Sequence, residues 1–350
     1  IESLYSISTK QTLSINYLIK CRMEFITANL ITSSLSLFAF FALLIIGADK
    51  FVDYSSILAK QIGISEFTIG LTIIALGTSA PEIFVGIASV YGEIENLAMG
   101  AVVGSNIANI GLIFGVACIG RSLRPEFSFR NRQFIPLLLA AIILGIAFYD
   151  LQLSLLESIT LLLILPIFLY TTYSDKSVGV KDRTEFDSSR SEKKGLFKIF
   201  VYIILALGAL IVGSEGVVSV STEIALKLEI SEVTIGLIVI AIGTSLPELA
   251  ATISAILKKK TDLVIGNVIG SNVMNIVLVV PIVGFFSNVQ LKSELIERDF
   301  PIMMIFTLIF VILVFMQSIK KLSNVILIRA FGMLLLSGYL VYVLKISAIF

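Results

Sequence analysis

Residues Gly70 to Glu82 read GLTIIALGTSAPE, an apolar run that ends in Thr78, Ser79, Pro81 and a bare carboxylate, Glu82. The same phrase returns at Gly236 to Glu248 as GLIVIAIGTSLPE. Around it, Ile64–Glu82 and Ile230–Glu248 are identical at 14 of 19 positions, at a constant offset of 166 residues. That offset also aligns Gly100–Ile110 (GAVVGSNIANI) with Gly266–Ile276 (GNVIGSNVMNI), identical at 7 of 11 positions. It carries Gly47-Ala48-Asp49 onto Gly213-Ser214-Glu215 as well. An offset held without insertions over separate blocks marks two copies of one unit.

The chain that surrounds these blocks is 57% hydrophobic and 15% charged over 350 residues, with a mean hydropathy of +1.01. Soluble domains run at about 45–50% apolar and about 25% charged. The chain therefore reads as an all-α polytopic membrane protein. A membrane helix needs about 20 mostly apolar residues, which places ten spans near 31–52, 67–90, 97–119, 133–149, 153–173, 197–219, 233–257, 263–286, 300–317 and 325–346. Five fall in each copy. The division is then an extension at 1–28, a first transmembrane repeat at 29–173, a linker at 174–196 and a second repeat at 197–350.

Residues 1–28 are polar without a clear period and are expected to be weakly ordered. The first residue is Ile1 and the first methionine Met23, so the functional product is expected to start near Met23. The extension lacks the charged-apolar-cleavage layout of a signal peptide. No histidine is present, which removes the commonest transition-metal ligand. Cys21 and Cys118 show no metal-type spacing and predict no structural disulfide. The linker is short, mixed in charge and rich in Ser, and is expected to loop through solvent.

Orientation follows from the basic residues of the loops. With the N-terminus outside, the cytoplasmic loops hold Lys60, the Arg121–Arg132 stretch, the linker, Lys258 to Lys260, and Lys320 and Lys321. The opposite loops hold only Lys227, Lys292 and Arg298. Both termini are expected outside and the linker inside. Five spans per copy force the second copy to cross from the opposite face, so the fold is two inverted five-helix repeats. In such transporters the binding site lies near the midplane, where the repeats meet.

Proline inside a helix lacks an N–H and clashes with the carbonyl four residues back. For Pro81 that residue is Gly77, and for Pro247 it is Gly243. Each helix should open just before its glutamate and loosen carbonyls around Ala75–Thr78 and Ala241–Thr244. Irregular backbone at membrane depth persists only beside a cavity or inside protein. Thr78 and Glu82 share a helical face, as do Thr244 and Glu248, Ser105 and Asn109, and Ser271 and Asn275. Each copy thus offers a carboxylate, a hydroxyl, an amide and loosened carbonyls. An all-oxygen set without thiolate or imidazole suits hard cations. Calcium takes about 6–8 oxygens; two bidentate glutamates with the Thr78 and Thr244 carbonyls give about six. Two negative charges match one divalent ion. Asp49 and Glu215 read instead as interfacial or interhelical pairs, with Lys50 beside Asp49.

The paired GTSxPE and GSNxxN blocks resemble the sodium/calcium exchangers of the cation/calcium antiporter superfamily, in their compact prokaryotic form. The resemblance covers nearly everything from about residue 30 onward. It implies four ion sites clustered between helices two, three, seven and eight. Carried over residue by residue, it implies calcium on the Glu82 and Glu248 carboxylates and the Thr78 and Thr244 carbonyls. It implies sodium on the Ala75 and Ala241 carbonyls, Ser79 and Ser245, and Ser105 and Ser271, with Asn109 and Asn275 lining the central site. Some members carry an acid where this chain has Asn275. The implied activity is sodium-for-calcium exchange by alternating access, exporting calcium across a prokaryotic inner membrane, with spans one and six as a sliding gate. No cofactor, nucleic acid or obligate protein partner is implied beyond the lipid bilayer and the transported cations.

Two rivals remain open on the residues alone. Proton-coupled calcium exchange needs a group that titrates in range, and two buried glutamates could serve. A passive cation channel needs the same polar lining without obligatory exchange. An intramembrane hydrolase is excluded, because no histidine exists and no lysine lies within the motif segments to activate Ser79 or Ser245.

Overall fold

The computed structural model describes residues 2–92, 94–120, 132, 134–174, 195–228, 243, 245–286, 290–318 and 325–346, without the side chains of 2–31, 226, 317 and 318. Eleven helices organise them: α1 Glu2–Ile62, α2 Glu66–Thr78, α3 Ala80–Tyr91, α4 Glu95–Gly120, α5 Phe134–Ala147, α6 Leu155–Tyr173, α7 Leu196–Lys227, α8 Leu246–Leu257, α9 Thr261–Phe286, α10 Leu295–Met316 and α11 Val325–Ile346. Among the described residues there is no β-sheet, only an isolated antiparallel bridge between Gln152 and Gln290. The all-α expectation holds.

The count of spans differs from the expected ten. Seven of these helices are long and apolar enough to cross a membrane, or eight if α2 and α3 form one bent span. α5 and α8 are shorter. With 14 residues, α5 rises about 21 Å against a hydrocarbon core of about 30 Å. Residues 229–242, over which the predicted seventh span begins, lie outside the described residues. α1 begins at Glu2, so its first turns occupy the stretch expected to be weakly ordered.

Burial sorts the helices into core and periphery. Of the most apolar 18-residue stretch of α4 and of α9, 78% and 83% is buried, against 28% in α6, α7, α11 and the 32–62 part of α1. The outward faces carry large apolar side chains such as Phe38, Ile45, Phe84, Leu156, Phe197 and Leu205. The interior holds Thr78, Ser79, Glu82, Ser105, Asn106, Glu248, Asn267 and Ser271. Apolar outside and polar inside is the reverse of a soluble domain, and suits hydrocarbon solvent.

Glycine permits two close crossings. On α2 and α9, a Cβ at Gly70 would lie 2.7 Å from the Leu263 carbonyl oxygen, and one at Gly266 would lie 2.5 Å from that of Phe67. On α1 and α7, a Cβ at Gly47 would lie 2.5 Å from Leu210 N, and one at Gly213 2.5 Å from Leu44 N. Gly47 and Gly213 are equivalent in the two copies, so this crossing obeys the repeat. Small residues let membrane helices approach to backbone contact where hydrophobic burial supplies no drive.

Helix ends meet in separate groups. Lys258 Nζ, just past α8, lies 2.7 Å from Asp49 Oδ1 and 2.6 Å from Asp53 Oδ1 of α1, and donates to the Asp49 carbonyl at 2.7 Å. Lys260 pairs with Glu66 at 3.2 Å. Elsewhere, Leu291 N donates to the Leu151 carbonyl at 2.7 Å, and Asn96 bonds the backbone of Gln290 and Lys292, each at 3.0 Å. Ser33 of α1 bonds Glu223 and Lys227 of α7. Asp49 thus makes the interhelical pair expected of it, chiefly with Lys258; Lys50 is 3.6 Å away.

Candidate cation-binding site

The break between α2 and α3 bends the chain by 42°. Its pivot is Ser79 (φ −82°, ψ 6°), and Ser245 before α8 repeats the geometry (φ −93°, ψ 5°). The helix of the first copy opens just before its glutamate, as expected, while the segment leading to Ser245 lies outside the described residues; what differs is the place of the prolines. Each is the second residue of a new helix, where the missing N–H would have had no partner anyway. The two glutamates are the third residues, in the first turn, where the positive end of the helix favours a carboxylate. The Ala75 carbonyl is not loosened: it accepts the Ser79 N–H at 3.0 Å.

Glu82 and Glu248 are 2% and 1% exposed. Glu82 Oε1 accepts from Ser105 Oγ at 3.1 Å, a contact from α3 to α4 within the first copy. Glu248 Oε1 accepts from Ser79 Oγ at 3.2 Å, a contact across the copies. The second oxygen of each, Oε2, is buried with no hydrogen-bond partner among the described residues. Two buried acids, each half satisfied among the described residues, are costly without a counter-charge.

Around them the polar lining continues. Thr78 Oγ1 lies 3.4 Å from Asn267 Oδ1 and 3.5 Å from Ser271 Oγ, which is itself 3.5 Å from Asn267 Oδ1. Ser245 Oγ, both amide atoms of Asn109 and Asn275 Oδ1 are buried without partners among the described residues. At Asn109 and again at Asn275 the α-helix loosens into a π-turn, Asn109–Phe114 in α4 and Asn275–Val279 in α9. Insertions of this kind gather at functional sites. The two begin at equivalent residues of the repeat.

Of the predicted residues, Thr78, Ser79, Glu82, Ser105, Glu248 and Ser271 are brought into contact with one another or with one shared neighbour. Asn109, Ser245 and Asn275 are buried, Asn275 being bonded to Asn106. Gly77 is buried with its α-carbon against Phe51, where a Cβ would lie 2.8 Å from the ring. The Gly243 carbonyl, which Pro247 cannot satisfy, accepts from Ser214 Oγ of α7 at 3.2 Å. Thr244 and Ala241 lie outside the described residues.

Four residues escaped the sequence reading: Asn106, Asn272, Asn267 and Ser214. Asn106 and Asn272 are the invariant third residues of the two GSN triplets, so their signal was present. Ser214 lay in an aligned triplet, but its equivalent is Ala48. Asn267 aligns with Ala101, and comparing the copies hides it. Among the described residues no group of three or more His, Cys, Asp or Glu side chains gathers. The lining is two carboxylates with hydroxyls and amides.

A helical membrane protein in which two helix N-termini each carry a buried acid in an oxygen-lined interior is a cation-handling transporter by architecture. The profile of the sodium/calcium exchanger protein family matches residues 32–174 and 198–347, both copies with the linker left out. The chain belongs to that family, and is a transporter rather than an enzyme. It is 34% identical over 315 residues to the inner membrane protein YrbG of Escherichia coli, covering 86% of this chain and 94% of that one. It is 31% identical over 329 residues to the sodium/calcium exchanger MaX1 of Methanosarcina acetivorans, covering 81% and 92%. It also superposes on a solved structure of the sodium-calcium exchanger NCX_Mj soaked with 2.5 mM Na+ and 0.1 mM Sr2+. There the TM-score is 0.72 and the identity 29%, over 89% of this chain and 98% of that one.

Proposed function

We propose that this protein exchanges sodium for calcium by alternating access, exporting calcium from the cell. One observation carries the reading. Two helices that start at equivalent residues of the repeat, Ala80 and Leu246, each carry a buried carboxylate with one oxygen held by a serine and the other without a partner among the described residues. A divalent cation supplies the missing counter-charge, and sodium ions supply it when calcium leaves. The kinship with proteins named as sodium/calcium exchangers supports the choice of ions.

In this reading calcium is held by the Glu82 and Glu248 carboxylates and the Thr78 and Thr244 carbonyls. Sodium competes through Ala75, Ser79, Ser105, Ala241, Ser245 and Ser271, while Asn109 and Asn275 line the centre. The scaffold is ten spans in two inverted repeats, 29–173 and 197–350, joined by a cytoplasmic linker at 174–196 and preceded by the 1–28 extension. Both termini lie outside the inner membrane. The glycine-seated pair of α1 and α7 is the gate that slides over the α2, α3, α4, α8 and α9 core.

Radioactive calcium uptake into proteoliposomes tests this, with sodium, potassium and proton gradients imposed one at a time. Uptake driven by an outward sodium gradient, and stalled when sodium is absent from the lumen, is expected. Uptake driven by protons alone would install proton coupling instead. Flux indifferent to the opposite ion would describe a channel.

A further inference from the structure

Asn106 lies on α4 between the two copies, buried, and its side chain reaches α9. Its Nδ2 donates to the Asn272 backbone carbonyl at 3.3 Å, and Met303 Sδ of α10 is a second acceptor at 3.8 Å. A backbone carbonyl can only accept, so this contact fixes which end of the Asn106 amide meets the Asn272 carbonyl. Its Oδ1 is then the end left for Asn275, one turn further along the same helix as Asn272, whose Nδ2 donates to it at 3.3 Å. The second amide is thereby fixed by the first. Asn275 turns its nitrogen to Asn106, and its Oδ1 is left buried and unpartnered among the described residues.

The equivalent residue of the other copy does nothing similar. Asn272 Nδ2 donates to the Val268 carbonyl of its own helix at 2.9 Å. Asn109, the equivalent of Asn275, has no partner at either amide atom among the described residues. The orientation relay is therefore one-sided, running from the Asn272 backbone through Asn106 to Asn275.

We propose that Asn106 is a positioning residue that turns the Asn275 amide so that its oxygen, and not its nitrogen, faces the transported cation. This rests on the reading of Asn275 as part of the site lining. A flipped amide would set two N–H groups, the positive end of the dipole, against a cation. Asn106 touches no ion itself. A carboxylate at position 275 has oxygen at both ends and needs no such guidance.

The test compares the effect of Asn106→Leu in two backgrounds, the native chain and the Asn275→Asp variant. Half-saturating calcium is read from tracer uptake in proteoliposomes, and calcium-induced thermal shift of the purified protein gives a readout independent of transport. In the native background Asn106→Leu should raise half-saturating calcium roughly tenfold, about 1.4 kcal/mol. Beside Asn275→Asp the same change should cost less than about twofold, an energetic coupling that a merely structural role would not produce. An equal penalty in both backgrounds overturns the proposal. If the leucine variant fails to insert, Asn106→Ser goes through the same comparison with the same criterion. Asn275→Leu with an unaltered calcium response would remove Asn275 from the site lining, a failure of the underlying reading that is separable from any result at Asn106.

Discussion

Each buried glutamate has one oxygen held and one without a partner among the described residues, and the two oxygens predict different mutational behaviour. Glu82→Gln or Glu248→Gln removes half the counter-charge for a divalent ion. Calcium transport should fall at least about a hundredfold, the ~2.7 kcal/mol expected of a lost charge-assisted contact. Melting of the calcium-free variants should meanwhile be unchanged or raised, since a buried, half-satisfied charge has been neutralised. Transport lost only together with folding would contradict the ligand role. Ser105→Ala and Ser79→Ala leave the charges in place and remove one hydroxyl from each. Their expected cost in half-saturating calcium is about tenfold or less, nearer the ~1 kcal/mol of one hydrogen bond. The acids and serines were legible because the sequence states them twice in apolar surroundings. Asn267 was not, because only one copy carries it and it acts through Thr78 and Ser271 rather than through a motif of its own.

At the scale of the element, the lesson is where a helix stops. The prolines suggested a loosened turn inside one helix. The chain instead ends α2 at Thr78 and starts again at Ala80, which moves the carboxylate to a helix N-terminus. Nothing in residue propensity announces the π-turns at Asn109 and Asn275 either. Packing predicts a contrast between two glycine substitutions. At Gly270 of α9 an added Cβ runs into the Leu71 carbonyl of α2, whereas at Gly208 of α7 it meets nothing within 4 Å. Gly270→Ala should destabilise by about 1–3 kcal/mol through overpacking. Gly208→Ala, at an exposed helical position, should be neutral or stabilising by up to about 1 kcal/mol. Thermal melting of the two purified variants decides it. Equal shifts would mean that the α2–α9 crossing can relax, and that its glycines are not what sets it.

For the whole molecule the question is which helix ends share a face. The crossing pattern predicted from loop charge puts residues 33, 96, 151, 223, 227 and 290–292 outside, and residues 49, 53, 66, 258 and 260 inside. The contacts between helix ends respect that partition. Ser33 meets Glu223 and Lys227, Asn96 meets Gln290 and Lys292, and Leu151 meets Leu291, while Lys258 meets Asp49 and Asp53, and Lys260 meets Glu66. The partition is symmetric but its chemistry is not. Gly92 stands where the other copy has Lys258, so the ammonium that ties α8 to α1 has no equivalent on the opposite face. Inversion then makes a prediction that geometry alone enforces. On the proposed ten-span scaffold three crossings, α7, α8 and α9, separate Ser188 in the linker from Lys292 after α9, so the two residues are expected to face opposite compartments. In a background with Cys21 and Cys118 replaced by serine, a membrane-impermeant maleimide applied to intact cells should label Lys292→Cys, and should reach Ser188→Cys only after permeabilisation. The reverse pattern would keep the inverted repeats and turn the protein over in the membrane. Labelling of both from outside would require an even number of crossings between them, and the second copy would no longer be the first one inverted.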